Sequence, residues 1–249
     1  MDSIRFSAIA HSLHTYHSPV HPTQVDYLID LMRLSPTDRV FDAGCGSGAY
    51  LIRIAEKTGA RGVGVDISPY AIETARTEAA RRVPQHPLEF VESHIDAYTV
   101  TSEAFEAALC IGATHLYHTW QGAIDVLSKI IKRGGQMLIG DLYWKQPPSE
   151  SFLALMGGMA RDEMHSYTEM VQALVTSGLT PLYVADSSLA DWDHYEWLYR
   201  YAVIRHLQAH PDDAEAQVFR QRSDSIMDRF LTGGREFFGF MVCLAQRPY

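Results

Sequence analysis

Residues 40–48, VFDAGCGSG, decide the predicted fold of this chain. The apolar start of the segment predicts a buried strand over residues 39–42, and helical spacing of apolar residues resumes at Tyr50. Three glycines between them permit a sharp turn and let a ligand lie against the backbone. Their spacing is GxGxG, which differs from the GxGxxG of dinucleotide-binding loops, and Asp42 stands two residues before Gly44. A glycine-rich turn without a ligand is the alternative interpretation of the glycines alone.

A second signal is the segment at residues 63–66, VGVD, which predicts a short strand. It ends in an acid, Asp66, that lies 18 residues after Gly48. An acid at this place can accept hydrogen bonds from the ribose hydroxyls of a nucleoside, so Asp66 is a candidate ribose ligand. Ile67 can cover one face of an adenine. A surface acid in a turn is the alternative. Ser68 and Pro69 then predict the start of a helix, which gives the β-α-β-α order of a parallel, doubly wound sheet.

The rest of the chain continues this alternation. Further strands are predicted at residues 88–91, 107–111, 136–141, 182–185 and 237–245, with helices at 119–131, 168–177 and, as one long region, roughly 191–230. Residues 1–20 predict a loop or a short helix before a helix from Thr23, and Gly134 and Gly135 are expected to stop the helix before them. We expect one domain over residues 1–249, with residues 1–22 as an N-terminal lid. Residues 142–166 and 190–235 are expected to form cap insertions at the ligand end of the sheet.

Composition and charge narrow the range of partners. With 30 acidic against 21 basic residues, the formal net charge is −9, which argues against a nucleic-acid substrate or an anionic membrane surface. No apolar run predicts a membrane span, and the N-terminus lacks the apolar core of a signal peptide. Three cysteines without a CxxC pair predict neither a zinc site nor a disulfide framework, so a reducing, cytoplasmic location is expected. Four histidines lie close together between residues 11 and 21, but the prolines at 19 and 22 interrupt any helix that would align them, and no metal is expected.

Four segments together resemble the motifs of class I S-adenosylmethionine (SAM)-dependent methyltransferases. Residues 40–48 resemble the glycine-rich motif I, residues 62–68 (GVGVDIS) the ribose-binding segment, residues 105–112 (FEAALCIG) the motif IV strand, and residues 132–140 (KRGGQMLIG) the hairpin before the fifth strand. Further segments, among them GDLYW at 140–144, WDHYE at 192–196 and REFFG at 235–239, resemble a group of poorly characterised bacterial small-molecule methyltransferases. The resemblance implies an α/β, Rossmann-like, mostly parallel seven-stranded sheet with the last strand antiparallel, plus helical cap insertions. It also implies transfer of a methyl group from SAM to a small-molecule acceptor by in-line displacement, which leaves S-adenosylhomocysteine (SAH).

The resemblance assigns expected cofactor contacts as well. The glycine loop would lie along the amino-acid part of SAM, Asp66 would hold the ribose, and residues after the third strand would meet the adenine. An Asp often receives the adenine amino group in this family. The matching position here is His94, which can accept a hydrogen bond only through an unprotonated ring nitrogen, and Asp96 stands two residues on. The expected cofactor-binding residues are Asp42, Ala43, Gly44, Cys45, Gly46, Gly48, Asp66, Ile67, His94, Ile95, Ile111 and Tyr16.

Candidates for catalysis and acceptor binding follow the predicted strands, precede the first predicted helix or lie in the caps. Methyl transfer needs alignment of the reacting atoms and exclusion of water, and a general base only where the nucleophile must lose a proton. The candidate catalytic residues are His17, His115, His118 and Asp141, and the candidate substrate-binding residues are Thr114, Tyr143, Trp144, Glu163, Trp192 and Tyr195. The alternative is a solvated or structural role for each histidine and a packing role for the cap aromatics. The acceptor atom, N, O, S or C, stays open, and exposed cap aromatics are equally suited to a homodimer contact.

Two other function classes compete with a methyltransferase: an NAD-dependent Rossmann oxidoreductase and a non-catalytic nucleoside-binding protein. The GxGxG spacing and the lack of a Tyr-x-x-x-Lys signature count against the oxidoreductase. The intact glycine loop and Asp66 count against a protein that kept only the fold, although they indicate binding rather than turnover.

Overall fold

The computed structural model describes residues 2–249, which form one seven-stranded sheet and its flanking helices. The strands are β1 (Arg39–Ala43), β2 (Arg61–Asp66), β3 (Leu88–Glu92), β4 (Phe105–Ile111), β5 (Ile131–Trp144), β6 (Thr180–Asp186) and β7 (Phe238–Gln246). The helices are α1 (Ser3–Ala10), α2 (Pro22–Met32), α3 (Ala49–Thr58), α4 (Pro69–Arg82), α5 (Trp120–Ile130), α6 (Glu150–Leu155), α7 (Tyr167–Thr176), α8 (Leu189–Ala209), α9 (Ala216–Arg229) and α10 (Arg235–Phe237). Short 3-10 turns lie at Ile95–Ala97, Thr114–Tyr117 and Arg161–Glu163, and a π turn at Phe230–Gly234 continues α9.

The sheet has the strand order β3-β2-β1-β4-β5-β7-β6. Strands β1 to β5 pair in parallel, and β7 is antiparallel to both of its neighbours. The prediction of a mostly parallel seven-stranded sheet with an antiparallel last strand is therefore confirmed. The chain order reverses between β1 and β4, so their carboxyl ends border the crevice where ligands of such sheets bind.

Side chains of the central strands alternate between two buried layers. Phe41 and Ala108 pack with α5 and α7, whereas Val40 and Leu109 pack with α2 and α3 on the opposite face. Burial on both faces explains why these strands read as continuous apolar runs in the sequence. The loops at the carboxyl ends of β1, β2 and β4 are thereby fixed in position on a rigid core.

The N-terminal segment packs on the cap helices. Helix α1 begins after Asp2, whose carboxylate accepts a hydrogen bond from the amide of Arg5 at 2.9 Å. Phe6 is fully buried in a cluster with Val203 of α8 and Phe219 of α9. The N-terminal segment and the second predicted cap insertion thus share one apolar core, while their division into a lid and caps stays a prediction.

Most observed bounds lie within two residues of the predicted ones, and three departures are larger or change the element. Helix α5 ends at Ile130, and Gly134 lies inside the long strand β5, where its amide donates to the carbonyl of Arg247. Strand β5 continues to Trp144 because its residues 136–144 pair with β7. The predicted helical region at 191–230 is two helices, since Pro211 cannot continue α8. None of the helices within residues 2–249 has the length and apolar character needed to cross a bilayer.

Candidate active site

The glycine loop between β1 and α3 forms the floor of the site. Gly44 and Gly46 have φ values of 71° and 52°, in the left-handed region that favours glycine. A Cβ on Gly44 would lie 2.5 Å from Cβ of Ala113, and one on Gly46 would lie 2.8 Å from Nδ1 of His17. The amide of Gly44 donates to the carbonyl of Val65 at 2.8 Å. The loop is therefore held between β2, the segment after β4 and the N-terminal segment, with room for glycine only.

Asp66 ends β2 beside this loop, and its carboxylate helps to shape it. Oδ2 accepts a hydrogen bond from the amide of Gly46 at 2.9 Å, and Oδ1 accepts one from the amide of Ser68 at 2.8 Å. A carboxylate offers about four lone-pair positions, so each oxygen can accept a further hydrogen bond. Asp66 is half-buried and lines a cavity, which makes these positions accessible to a ligand.

A second carboxylate, that of Asp42, is buried at the end of β1. Its Oδ2 has no hydrogen-bond partner among residues 2–249. Burial, and secondly the charge of Asp66, raises the pKa of Asp42 to about 7. A buried acceptor without a partner is unfavourable, so a positive charge that comes with a ligand bound near it would stabilise this carboxylate.

A cavity of about 340 Å³ lies above the loop at the carboxyl ends of the strands. Its lining joins the predicted motifs: Gly44 and Gly46 from the loop, Asp66 and Ile67 from the end of β2, His94, Ile95 and Asp96 after β3, and Ile111, Gly112 and His115 after β4. The volume lies at the lower end of the range for small-molecule pockets, about 300–1,000 Å³. A larger groove of about 840 Å³ lies between α1 and α4, but Asp66 and the end of β4 do not line it, and we place the site in the smaller cavity.

The N-terminal segment forms the roof of this cavity through Ser7, His11 and His17. The rings of His11 and His17 stack with their centroids 4.5 Å apart, and Nε2 of His17 lies 3.4 Å from the hydroxyl of Ser47. Burial lowers the pKa of His17 to about 3, and repulsion from His11 and His14 acts in the same direction. His17 is therefore neutral at physiological pH.

Tyr195 of α8 joins the roof from the cap side. Its hydroxyl lies 2.8 Å from Nε2 of His11, whose Nδ1 lies 2.9 Å from the carbonyl oxygen of Ser7. The Nε2 of His14 lies 3.0 Å from the backbone carbonyl oxygen of Tyr195. The N-terminal segment and α8 therefore meet at the cavity through polar contacts.

Most of the predicted cofactor-binding residues surround the cavity or the loop below it. Those that line it are Gly44, Gly46, Asp66, Ile67, His94, Ile95 and Ile111, together with the predicted catalytic residues His17 and His115 and the predicted substrate-binding residue Tyr195. Asp42, Ala43, Cys45 and Gly48 belong to β1 and the loop. Tyr16 lies elsewhere, buried in the core with its ring 4.7 Å from that of Tyr50.

Other predicted catalytic and substrate-binding residues have partners outside the cavity. The carboxylate of Asp141 accepts hydrogen bonds from both the amide and the hydroxyl of buried Thr114, so this pair joins the ends of β4 and β5. The hydroxyl of Tyr143 donates to Asp186 at 2.8 Å in the layer covered by α7. His118 is exposed at the end of the turn that follows β4.

The remaining candidates lie in the caps. Trp144 stacks on Phe238 with ring centroids 5.5 Å apart, and Trp192 is buried against Phe230 and Phe238. These contacts favour the packing role that was the alternative for both tryptophans. Glu163 is exposed, and its carboxylate accepts a hydrogen bond from the amide of Ala160 at 2.7 Å.

Ser7 and His11 line the cavity although the sequence did not single them out for this role. In the sequence, His11 stands out only as one of four closely spaced histidines, which were considered as metal ligands and for which no metal is expected. The sequence feature that could have pointed to His11 is the three-residue spacing of His11, His14 and His17, which repeats a histidine along one short segment. Within residues 2–249, no three His, Cys, Asp or Glu side chains converge as metal ligands would.

Comparison with known proteins gives this arrangement a context. Residues 40–135 match a family model described as a methyltransferase domain. The uncharacterised protein YjhP of Escherichia coli is 30% identical over 97% of this chain and 98% of its own. A SAM-dependent methyltransferase of Geobacter sulfurreducens, solved in complex with SAH, is 28% identical and superimposes with a TM-score of 0.90 over 98% of each chain. A SAM-dependent methyltransferase of Thiobacillus denitrificans, also in complex with SAH, is 28% identical, with a TM-score of 0.86 over 98% of this chain and 99% of its own.

Proposed function

The chain belongs to the class I SAM-dependent methyltransferases and transfers a methyl group from SAM, and on this premise we propose that the acceptor is a small molecule bound beneath the N-terminal segment. The methyltransferase prediction and its cofactor, SAM, are thereby confirmed over the oxidoreductase and non-catalytic alternatives. The product from the cofactor is SAH. The acceptor and the roles of individual residues are proposals, argued in turn below.

We propose that the cavity above the glycine loop binds SAM. The observation that carries this is the free lone pairs of Asp66, which face the cavity directly beside Gly46. Asp66 would hold the ribose hydroxyls, and the backbone at Gly44 and Gly46 would lie along the amino-acid part. The buried carboxyl of Asp42 supports this orientation, because the cationic amino group of SAM bound near it would favour its ionised form.

The adenine would occupy the end of the cavity formed after β2 and β3. Ile67 and Ile95 both line that end and can cover the faces of the ring. His94 and Asp96 line it as well, and either can accept a hydrogen bond from the adenine amino group. Separate His94→Ala and Asp96→Ala variants distinguish the two, because only the true acceptor changes SAH affinity.

SAM supplies an activated methyl group when it is bound, so the chain has to align the acceptor and exclude water. The roof residues His11, His17 and Tyr195 would help to exclude water, because all three are half-buried and line the cavity. We propose His17 and His115 as catalytic residues, since both line the cavity and His17 is neutral and able to accept a hydrogen bond. Asp141 and Thr114 would instead position the end of β4, and His118 stays a prediction.

A small acceptor is favoured by the cavity and by the charge of the chain. A roof made of the N-terminal segment and α8 favours a small molecule over a macromolecular strand, and the net charge of −9 disfavours polyanions. The test is incubation of the protein with methyl-tritiated SAM and a panel of small amines, phenols and thiols, with RNA and unstructured peptides as comparison. We expect label in a small-molecule product together with SAH; label found only in RNA or peptide contradicts the proposal.

Two further proposals concern the setting of the enzyme. A reducing compartment such as the cytoplasm is supported by Cys45, Cys110 and Cys243, which are buried free thiols. A homodimer contact is supported by Trp197 and Tyr201, which are about half exposed and lie four residues apart on α8. Light scattering of wild type and of a Trp197→Ala variant tests the second proposal, which fails if the wild type is monomeric.

A further inference from the structure

The pair formed by His11 and Tyr195 has a fixed hydrogen-bond direction. Nδ1 of His11 has two contacts with Ser7, the carbonyl oxygen at 2.9 Å and the hydroxyl at 3.2 Å. The hydroxyl can donate or accept, but the carbonyl oxygen can only accept, so the shorter contact places the ring proton on Nδ1. In the neutral ring Nε2 is then an acceptor. The hydroxyl of Tyr195, 2.8 Å away, therefore donates its proton to Nε2 of His11. The result is a chain of two hydrogen bonds that runs from the cavity to the backbone of α1.

Both members of the pair are half-buried. Burial, and secondly repulsion from His14, lowers the pKa of His11 to about 4, so the ring is neutral at physiological pH. Burial raises the pKa of Tyr195, so its hydroxyl keeps its proton. The titratable groups around the pair are His14 and His17 on the N-terminal segment and Glu196 and Tyr199 on α8. Within residues 2–249, none of these four side chains hydrogen-bonds to His11 or to the Tyr195 hydroxyl, so the contact of the Ser7 carbonyl oxygen with Nδ1 sets the direction of the chain.

Attachment of the N-terminal segment does not require this pair. Phe6 is fully buried against Val203 and Phe219, and Arg5 makes an ion pair with Asp213 at the far end of α1. A buried polar pair is an inefficient anchor, because the desolvation of its groups offsets most of what the hydrogen bond contributes. The position of the pair at the cavity, beside His17, points to a role in the reaction instead.

We propose that Tyr195 takes the proton of the methyl acceptor while passing its own proton to His11, so that the natural acceptor is a protic N–H, O–H or S–H nucleophile. This inference rests on the proposed small-molecule function of the cavity. In the step, the acceptor atom X forms a bond to the methyl carbon, and the bond from that carbon to sulfur breaks with its electron pair left on sulfur. The X–H proton moves to the Tyr195 oxygen, and the Tyr195 proton moves to Nε2 of His11, from which it is later lost to water. Tyr195 is thus a catalytic residue, and His11 is a positioning residue that acts through it.

The first test needs no acceptor. Histidine ¹⁵N NMR of the full chain in complex with SAH reports the tautomer and protonation of each ring. We expect His11, assigned by the His11→Gln variant, to be neutral with its proton on Nδ1 at about pH 7. In a Tyr195→Phe variant the Nε2 signal should move, because it loses its hydrogen bond. A His11 that is protonated at neutral pH, or that carries its proton on Nε2, overturns the proposal.

The second test separates proton transfer from structure by the choice of acceptor. Methyl transfer from SAM is measured to a phenol, to a primary amine and to thiophenol at about pH 8, where the thiol is largely ionised in water. We expect Tyr195→Phe and His11→Gln to lower kcat for the protic phenol or amine by about 100-fold or more, with little change in KM or in SAH affinity. Thiophenolate has no proton to lose, so the same variants should methylate it at close to the wild-type rate.

Tyr199→Phe is the matched control, since its ring lies 5.1 Å from that of His11 without a hydrogen bond to it in the described residues. It should behave like wild type with all three acceptors. Equal losses for the phenol and for thiophenolate in Tyr195→Phe would indicate a structural role and overturn the relay. If wild type does not bind SAH, the proposed cofactor site is wrong. Failure of the relay and failure of the cofactor site therefore give different results.

Discussion

Acid should destabilise the folded enzyme through the histidines of the roof, and His17 gives the sharpest case. Burial lowers the pKa of His17 from an unfolded value near 6.5 to about 3. The unfolded chain therefore binds a proton that the folded chain excludes, and the stabilising contribution of neutral His17 is complete above about pH 6.5 and is lost as the pH falls toward about 3. At 1.36 kcal/mol per unit of pKa shift, the loss between about pH 7 and about pH 5 is about 2 kcal/mol.

The assay is urea denaturation of wild type and of His17→Gln at both pH values. Glutamine cannot titrate, so the variant should lose about 2 kcal/mol less than wild type on acidification. Subtracting the pH-dependent change in free energy of the variant from that of wild type removes the contribution of other groups. One of these is buried Asp42, whose pKa is shifted upward rather than downward. His165→Gln is the control for the substitution itself, because that side chain is exposed and lies outside the roof. An identical pH dependence in wild type and His17→Gln would refute the burial of the His17 ring in the roof of the cavity.

Three further predictions test the floor of the site. Gly46→Ala should weaken SAH binding by about 10-fold or more in calorimetry, because its φ of 52° disfavours alanine and the new Cβ meets His17; unchanged affinity would contradict the tight loop. Between about pH 4 and pH 8, Asp42→Asn should gain about 4 kcal/mol in free energy of unfolding relative to wild type, because the pKa of Asp42 in the folded protein is raised to about 7 and its ionised form destabilises the fold. Urea denaturation at both pH values measures this gain. If the free energies of the variant and of wild type differ by the same amount at both pH values, Asp42 is not buried. Thr114→Val should cost about 1–3 kcal/mol in the same assay, because the Asp141 carboxylate loses a buried donor, and an unaffected stability would show that this pair does not hold β4 to β5.

The parts of the site that could be predicted from the sequence are local ones. The strand, the three glycines and the acid at the end of the next strand lie within residues 39–66, and each has a backbone reason for its residue type. Gly44 and Gly46 need positive φ, and Asp66 closes the loop through the amide of Gly46. Such requirements leave a signature in a single sequence, which explains why the floor of the cavity agrees with the prediction.

The roof could not be predicted because it depends on contacts between distant residues. His11 and Tyr195 are 184 positions apart, and nothing in either local sequence indicates the other. Tyr143 was predicted to face the ligand because it follows the predicted fifth strand. In the structure β5 extends to Trp144 by pairing with β7, so the alternation of the strand turns Tyr143 into the layer covered by α7. Pairing across the sheet, which propensity does not report, decides where that side chain lies.

The central claim is that SAM binds between the glycine loop and the roof with its ribose on Asp66. Calorimetric titration with SAH of wild type, Asp66→Ala and Asp125→Ala tests it most directly, since Asp125 is an exposed acid on the distant helix α5. We expect wild type and Asp125→Ala to bind with equal affinity, on the order of micromolar. Hydrogen bonds to a charged group contribute about 1.5–3 kcal/mol each, so Asp66→Ala should bind at least about 10-fold more weakly while its circular dichroism stays native. A folded Asp66→Ala variant that binds SAH as tightly as wild type would contradict the account.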